Sequence, residues 1–258
     1  MLIPIQEALH LAVDRESRTK KEPPMRQQTT RSVHAPKPSA AVIPPSTRHL
    51  REIAELTALY DDEVNVCVLN RSIDRIGQRT IDFAQQVLAQ RDYSRSIVVD
   101  AERPDLRELA LDDEPESGPL LSDIACWIQV FADLLGPPRV GVRLCSVHQA
   151  MCPRFHVDRV MARLILTYHG PGTEWLDSCD VDRHHLGLQT SHLTDETSGL
   201  IRHPSAVQKM QSFSVGILKG EAWPGNLGRG AVHRSPMLAP TQRLSGERRV
   251  LLTLDGLE

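Results

Sequence analysis

The alternation of apolar and polar positions changes period along the chain. From Thr47 the residues Leu50, Ile53, Ala54 and Leu56 recur at helical spacing, and the pattern stops at Tyr60-Asp61-Asp62. Val64, Val66 and Val68 then alternate as on one face of a strand. A second helix is predicted over Ser72 to Gln90, with Ile73, Ile76, Phe83 and Val87 on one face and Ser72 or Asp74 as its cap. A third is predicted over Leu120 to Leu135, where Leu120, Ile124, Trp127, Ile128, Phe131 and Leu135 face inward and Gly136-Pro137-Pro138 ends it. Beyond Pro138 the period drops to two: Val140, Val142 and Leu144 alternate, Arg163 to Tyr168 is a compact β-prone run, Phe213, Val215 and Ile217 alternate, and Val250 to Leu254 closes the chain. Gly170-Pro171-Gly172 and Trp223-Pro224-Gly225-Asn226 mark turns between them. Short strands at this spacing predict a sandwich or small jelly roll, and the fold class expected is α+β.

Composition changes this picture at the N-terminus. Residues 1–45 hold seven of the 18 prolines and no aromatic, with seven basic against four acidic residues. Such a segment buries too little apolar surface to offset its ordering entropy, so a disordered leader is expected, with at most a short helix near Gln6 to Val13. Residues 46–258 are expected to form a single domain, 46–138 as helical scaffold and 139–258 as the β core. The whole chain has 258 residues and a formal charge of −3, and its folded part is more acidic still, which argues against nucleic acid as a partner. No apolar run reaches the ~18 to 20 residues of a membrane span. Neither a secretory signal nor paired cysteine spacing is visible among Cys67, Cys126, Cys145, Cys152 and Cys179, so the cytoplasm is the expected compartment.

The densest chemistry is Cys152-Pro153-Arg154-Phe155-His156-Val157-Asp158-Arg159. On a strand, His156 and Asp158 point to the same side and offer an imidazole and a carboxylate to one point. His233, 75 residues after Asp158, is the best third donor. Two His and one carboxylate with positions left open are the donor set of non-haem Fe(II) oxygenases. A rival set, Cys145, His148, Cys152 and His156, has residue types that suit tetrahedral zinc, but an alternating strand sends Cys145 and His148 to opposite faces. His184, His185, His192 and His203 lie in a polar stretch read as a long insertion, where solvated loop residues are the better reading. Gly225 to Gly230 lacks the Lys-Ser/Thr of a phosphate loop, and no Gly-x-Ser-x-Gly elbow supports a serine hydrolase.

The ordered series His-x-Asp, distal His, then Arg over Val140 to Leu254 resembles the double-stranded β-helix of the Fe(II)/2-oxoglutarate dioxygenases. The resemblance implies His156, Asp158 and His233 as iron ligands and a basic residue on the last strand that binds the distal carboxylate of 2-oxoglutarate. Arg248 and Arg249 both stand at the head of that strand, and only one can face inward; Arg249 shares a face with Thr253, while Arg243 is a third option. Thr167, Tyr168 and Arg163 are further candidates to bind the co-substrate. The motifs Cys-Pro-Arg-Phe-His-Val-Asp-Arg, Gly-Pro-Gly-Thr-Glu-Trp-Leu, Leu-Lys-Gly-Glu-Ala-Trp and Val-His-Arg-Ser-Pro resemble the bacterial domain-of-unknown-function family 1826, whose name implies no activity. The expected function is a 2-oxoglutarate-dependent hydroxylase acting on an unidentified small molecule or peptide. The alternative is a non-catalytic metal-binding or metal-sensing protein that uses the same pocket or the Cys/His zinc cluster.

Overall fold

Ten short strands and three helices make up the described part of the chain, residues 45–187, 192–238, 246 and 248–258 of a computed structural model. The expected leader (Pro45 apart), its short helix and Arg243 lie outside the described residues. The strands are β1 (Thr47–Leu50), β2 (Val66–Leu69), β3 (Tyr93–Asp100), β4 (Arg139–Val147), β5 (Ala162–His169), β6 (Glu174–Leu176), β7 (Gln208–Lys209), β8 (Val215–Lys219), β9 (Val232–Arg234) and β10 (Arg249–Leu257). The helices are α1 (Ile73–Ile76), α2 (Gln78–Gln86) and α3 (Gly118–Leu135), with a 3₁₀ helix at Ile53–Tyr60. Seven strands form the main sheet in the order β1-β2-β8-β5-β10-β4-β3, and β7-β6-β9 form a small second sheet. The class is mixed α and β, dominated by sheet.

Strict alternation gives the main sheet two different faces. Val140, Val142, Leu144, Leu164, Leu166, Tyr168, Val250, Leu252 and Leu254 point to one side, where they pack with Leu120, Ile124, Trp127, Ile128 and Phe131 of α3. Cys145, Ile165, Leu218 and Leu251 point to the other, where Trp175 of the small sheet covers them. By length and composition α3 could cross a membrane. Here its apolar stripe fills the core, and its Asp123 is paired with Arg71 at 2.7 Å.

Several boundaries differ from the sequence reading. The helix expected from Thr47 begins as a strand, because Asp177 accepts hydrogen bonds from Ser46 N at 3.0 Å and Thr47 Oγ1 at 2.6 Å and lays this segment parallel to β2. Ala54, expected inward, is exposed. The Ser72–Gln90 helix breaks at Gly77, whose φ of +82° ends α1, and Ile73 is exposed. Phe213 sits in a turn with φ of +70° rather than on a strand. β3 carries only Ile97 and Val99 as inward aliphatics, so its pattern was too short to read. Because β1, β2 and β3 all precede Pro138, the helical-scaffold reading of 46–138 is incomplete: this half also supplies three strands of the main sheet.

Candidate metal centre

Two reciprocal backbone bonds build the centre. His156 N donates to His233 O and His233 N to His156 O, both at 3.0 Å, so the two residues are directly opposed and their imidazoles share a face. The ring centroids are 4.5 Å apart. This single bridge replaces the strand expected around His156. The neighbours point the other way: Phe155 and Val232 enter an outer apolar cluster, and Arg234 lies over the Phe155 ring at 4.3 Å. After His156 the chain turns, and Asp158 O accepts Glu221 N at 2.9 Å. Gly220 is required there, since a Cβ on it would stand 2.0 Å from Val160 O and 2.7 Å from Asp158 O.

The donor atoms converge. Asp158 Oδ1 lies 3.6 Å from His156 Nε2, and Oδ2 lies 3.4 Å from His233 Nε2. Among the described residues these three form the only group of His, Cys, Asp or Glu donors all within 4.8 Å of one another. The second nitrogen of each ring fixes the tautomer. His156 Nδ1 is 2.9 Å from Arg154 O and His233 Nδ1 is 3.0 Å from Ala231 O. A carbonyl oxygen only accepts, so both protons sit on Nδ1, and in the neutral rings both Nε2 lone pairs face the carboxylate. Lone pairs aimed at an anion repel it unless a cation stands between them, so this donor set fits a divalent metal. The Asp158 carboxylate raises the His156 pKa, opposed by burial. Burial pushes Asp158 upward, but the two imidazoles and Arg163 outweigh it and hold the carboxyl far below its usual range.

A cavity of about 610 Å³ opens onto both imidazoles and onto Arg163, Thr173 and Arg249. Arg249 is 3% exposed. Its Nη2 donates to Thr167 Oγ1 at 3.0 Å and Thr173 Oγ1 at 2.9 Å, while its Nε has no partner and no described carboxylate pairs with it. Burial pushes this guanidinium down to about 10.

The other expected residues divide. Arg248 points away from the cavity to Asp92 at 2.5 Å, because neighbours on a strand alternate. Tyr168 faces the α3 side, where its hydroxyl donates to Asp123 at 2.7 Å, so it cannot touch a ligand in the cavity. Arg163 does face the cavity, but it is held by Asp158 at 2.7 Å and Asp255 at 2.7 Å. The zinc set is dispersed: Cys145 is buried against Leu251 O, and Cys152 is exposed. His184 and His185 lie on a 3₁₀ turn, and neither they nor His192 and His203 join a cluster of donors. Thr173, Asp255 and Gly220 were missed, since each acts through a partner distant in sequence.

The family described as "Protein of unknown function (DUF1826)" matches residues 51–255. The chain belongs to this family. No curated protein is significantly similar to this DUF1826 chain. Among solved structures it is similar to a BsmA homolog from Methylobium petroleophilum, with 14% identity and a TM-score of 0.41 over 81% of this chain and 93% of that one. A prolyl-4-hydroxylase from Pseudomonas putida shows 10% identity and a TM-score of 0.38 over 80% and 98%. A structure described as a 2OG-Fe(II) oxygenase family protein from Caulobacter crescentus shows 12% and 0.39 over 83% and 87%.

Proposed function

We propose that this DUF1826 protein is an Fe(II)/2-oxoglutarate-dependent dioxygenase, a hydroxylase, whose main and small sheets are the walls of a double-stranded β-helix. One observation carries the reading. A buried guanidinium without a carboxylate partner among the described residues lines the same cavity as two imidazoles whose free nitrogens converge on a carboxylate. An uncompensated buried cation is costly, and a carboxylate ligand removes the cost.

His156 Nε2, His233 Nε2 and Asp158 would hold the metal. Fe(II) with 2-oxoglutarate supplies, when bound, the activation of dioxygen that oxidises an otherwise unreactive C–H bond. The carbonyls of Arg154 and Ala231 keep the imidazole protons on Nδ1 and so keep Nε2 free to donate. Arg163, braced by Asp255, fixes the Asp158 carboxylate. Arg249 binds the distal carboxylate of the co-substrate, oriented by the hydroxyls of Thr167 and Thr173. Ile165 and Leu251 give the inner wall an apolar surface that limits water. The five free cysteines suit a cytoplasmic setting.

The test is metal analysis with a succinate-release assay on wild type, Asp158→Ala and Cys145→Ala. Iron bound stoichiometrically in wild type and Cys145→Ala, lost in Asp158→Ala, and succinate formed only where iron is bound, is the expected result. Metal retained without any binding of 2-oxoglutarate would sink the enzyme and leave the metal-sensing reading.

A further inference from the structure

The cavity is larger than a small dicarboxylic acid needs, and its sheet wall carries a second guanidinium that the co-substrate does not use. Arg143 lies mid-strand on β4, directly opposite Ser96 of β3 and Thr253 of β10. It lines the cavity with His156, His233 and Arg249. Four arginines line this cavity. Arg163 is held by Asp158 and Asp255, and Arg234 by Glu174, Asp195 and Glu196. Arg143 and Arg249 have no carboxylate within ion-pair reach among the described residues.

One small diacid does not serve both. Arg249 stands opposite Val147 while Thr253 stands opposite Arg143. Four residues at ~3.3 Å each, plus one strand spacing of ~4.8 Å, separate the two Cα atoms by roughly 14 Å. Arg249 also leans away from β4, toward Thr167 on β5. The backbone of Arg143 is instead level with Thr253 and Ile165, two residues from Arg163, which holds Asp158, while its exposed side chain interacts with the Cys145 thiol. A molecule anchored at Arg143 shares the cavity with His156 and His233.

Resting on the oxygenase reading for the role of Arg249, we infer that Arg143 anchors a carboxylate of the substrate to be oxidised, and that this substrate is of amino-acid type. The guanidinium fork matches a carboxylate, with the Ser96 and Thr253 hydroxyls on either side as further partners. Glu108, exposed on the same cavity and without an ion-pair partner among the described residues, disfavours dianions and polyanions and offers an acceptor to an amide or ammonium N–H.

The probes are N-acetyl amino acids, each compared with its primary amide, titrated by ligand-observed NMR against Zn(II)-loaded full-length protein. Wild type should bind one or more of the acids and not the matching amides. Arg143→Gln should bind those acids at least ten-fold more weakly, with partial recovery in Arg143→Lys, while thermal stability and 2-oxoglutarate affinity stay unchanged. Acids bound no better than amides, or bound equally by Arg143→Gln, would overturn the inference. Loss of 2-oxoglutarate rather than of the acids would also overturn it, by placing Arg143 in the co-substrate site. If the acids depend on Arg143 but wild type binds no 2-oxoglutarate, the anchor stands and the oxygenase reading falls.

Discussion

Replacing Arg249 with methionine should make the ligand-free protein more stable while destroying its affinity for 2-oxoglutarate. The guanidinium is 3% exposed, and among the described residues its charge is met by two threonine hydroxyls alone. Burial lowers its pKa from the ordinary value above 12 to about 10. At ~1.36 kcal/mol per pKa unit, that drop corresponds to about 3 kcal/mol by which the empty fold disfavours the charge. Because the folded pKa lies below the unfolded one, the penalty is present at every pH below about 10 and is relieved only above it. Methionine has a similar reach and no charge, and freeing the buried Thr167 and Thr173 hydroxyls costs about 1 kcal/mol each. The net gain is about 1 kcal/mol, or roughly 2 to 4 °C in Tm for a domain of this size.

Calorimetry in metal-free and 2-oxoglutarate-free buffer reads this directly, and the difference from wild type should stay constant between pH 6 and 9. Adding 2-oxoglutarate should then reverse the order. A ligand at a hundred times its Kd stabilises by ~2.7 kcal/mol, and wild type gains that while the variant does not. A variant that melts several degrees below wild type without ligand, or that is stabilised equally by 2-oxoglutarate, refutes the idea that Arg249 is a charge waiting for an anion.

Arg248→Ala should leave 2-oxoglutarate affinity within two-fold of wild type, because its partner is the exposed Asp92; a large loss by calorimetric titration would mean that the strand parity is wrong. Metal affinity should fall as pH falls, beginning above the ~6.5 of free imidazole, since the His156 pKa is raised by Asp158 and its proton must leave before Nε2 can donate. Titrations between pH 5 and 8 showing no such onset count against His156 as a ligand. Gly220→Ala should cost about 1 to 3 kcal/mol and weaken metal binding, because its Cβ would press on the 158–160 turn; normal stability with normal metal affinity would remove that turn from the centre.

Which parts of this molecule were legible follows from the range of the forces involved. His156, Asp158 and His233 were readable because their spacing is local and their chemistry is distinctive, yet the strand assigned to His156 proved to be one bridge pair held by long-range bonds. Residues 47–50 have helical periodicity, but Asp177, far along the chain, captures Ser46 and Thr47 and makes them a strand. No local pattern contains that partner. Thr173 is another case, since its role depends on the turn after His169 folding back onto Arg249.

Strand parity is the local rule that reaches furthest in this chain. Arg163, Ile165 and Thr167 share one face of β5, so Tyr168 had to point to the other, and its pairing with Asp123 on the α3 side is what alternation demands. On β10 the same count puts Arg249, Leu251, Thr253 and Asp255 toward the cavity and sends Arg248 out. Applied to β4 it places Arg143 with Cys145 on the cavity side, opposite Val142 and Leu144 in the core. Alternation along one strand therefore names the face of each residue, but only the register between strands says which faces meet. That register puts Arg143, which has no described carboxylate partner, level with Thr253, four residues from Arg249, and so separates two like charges along one wall.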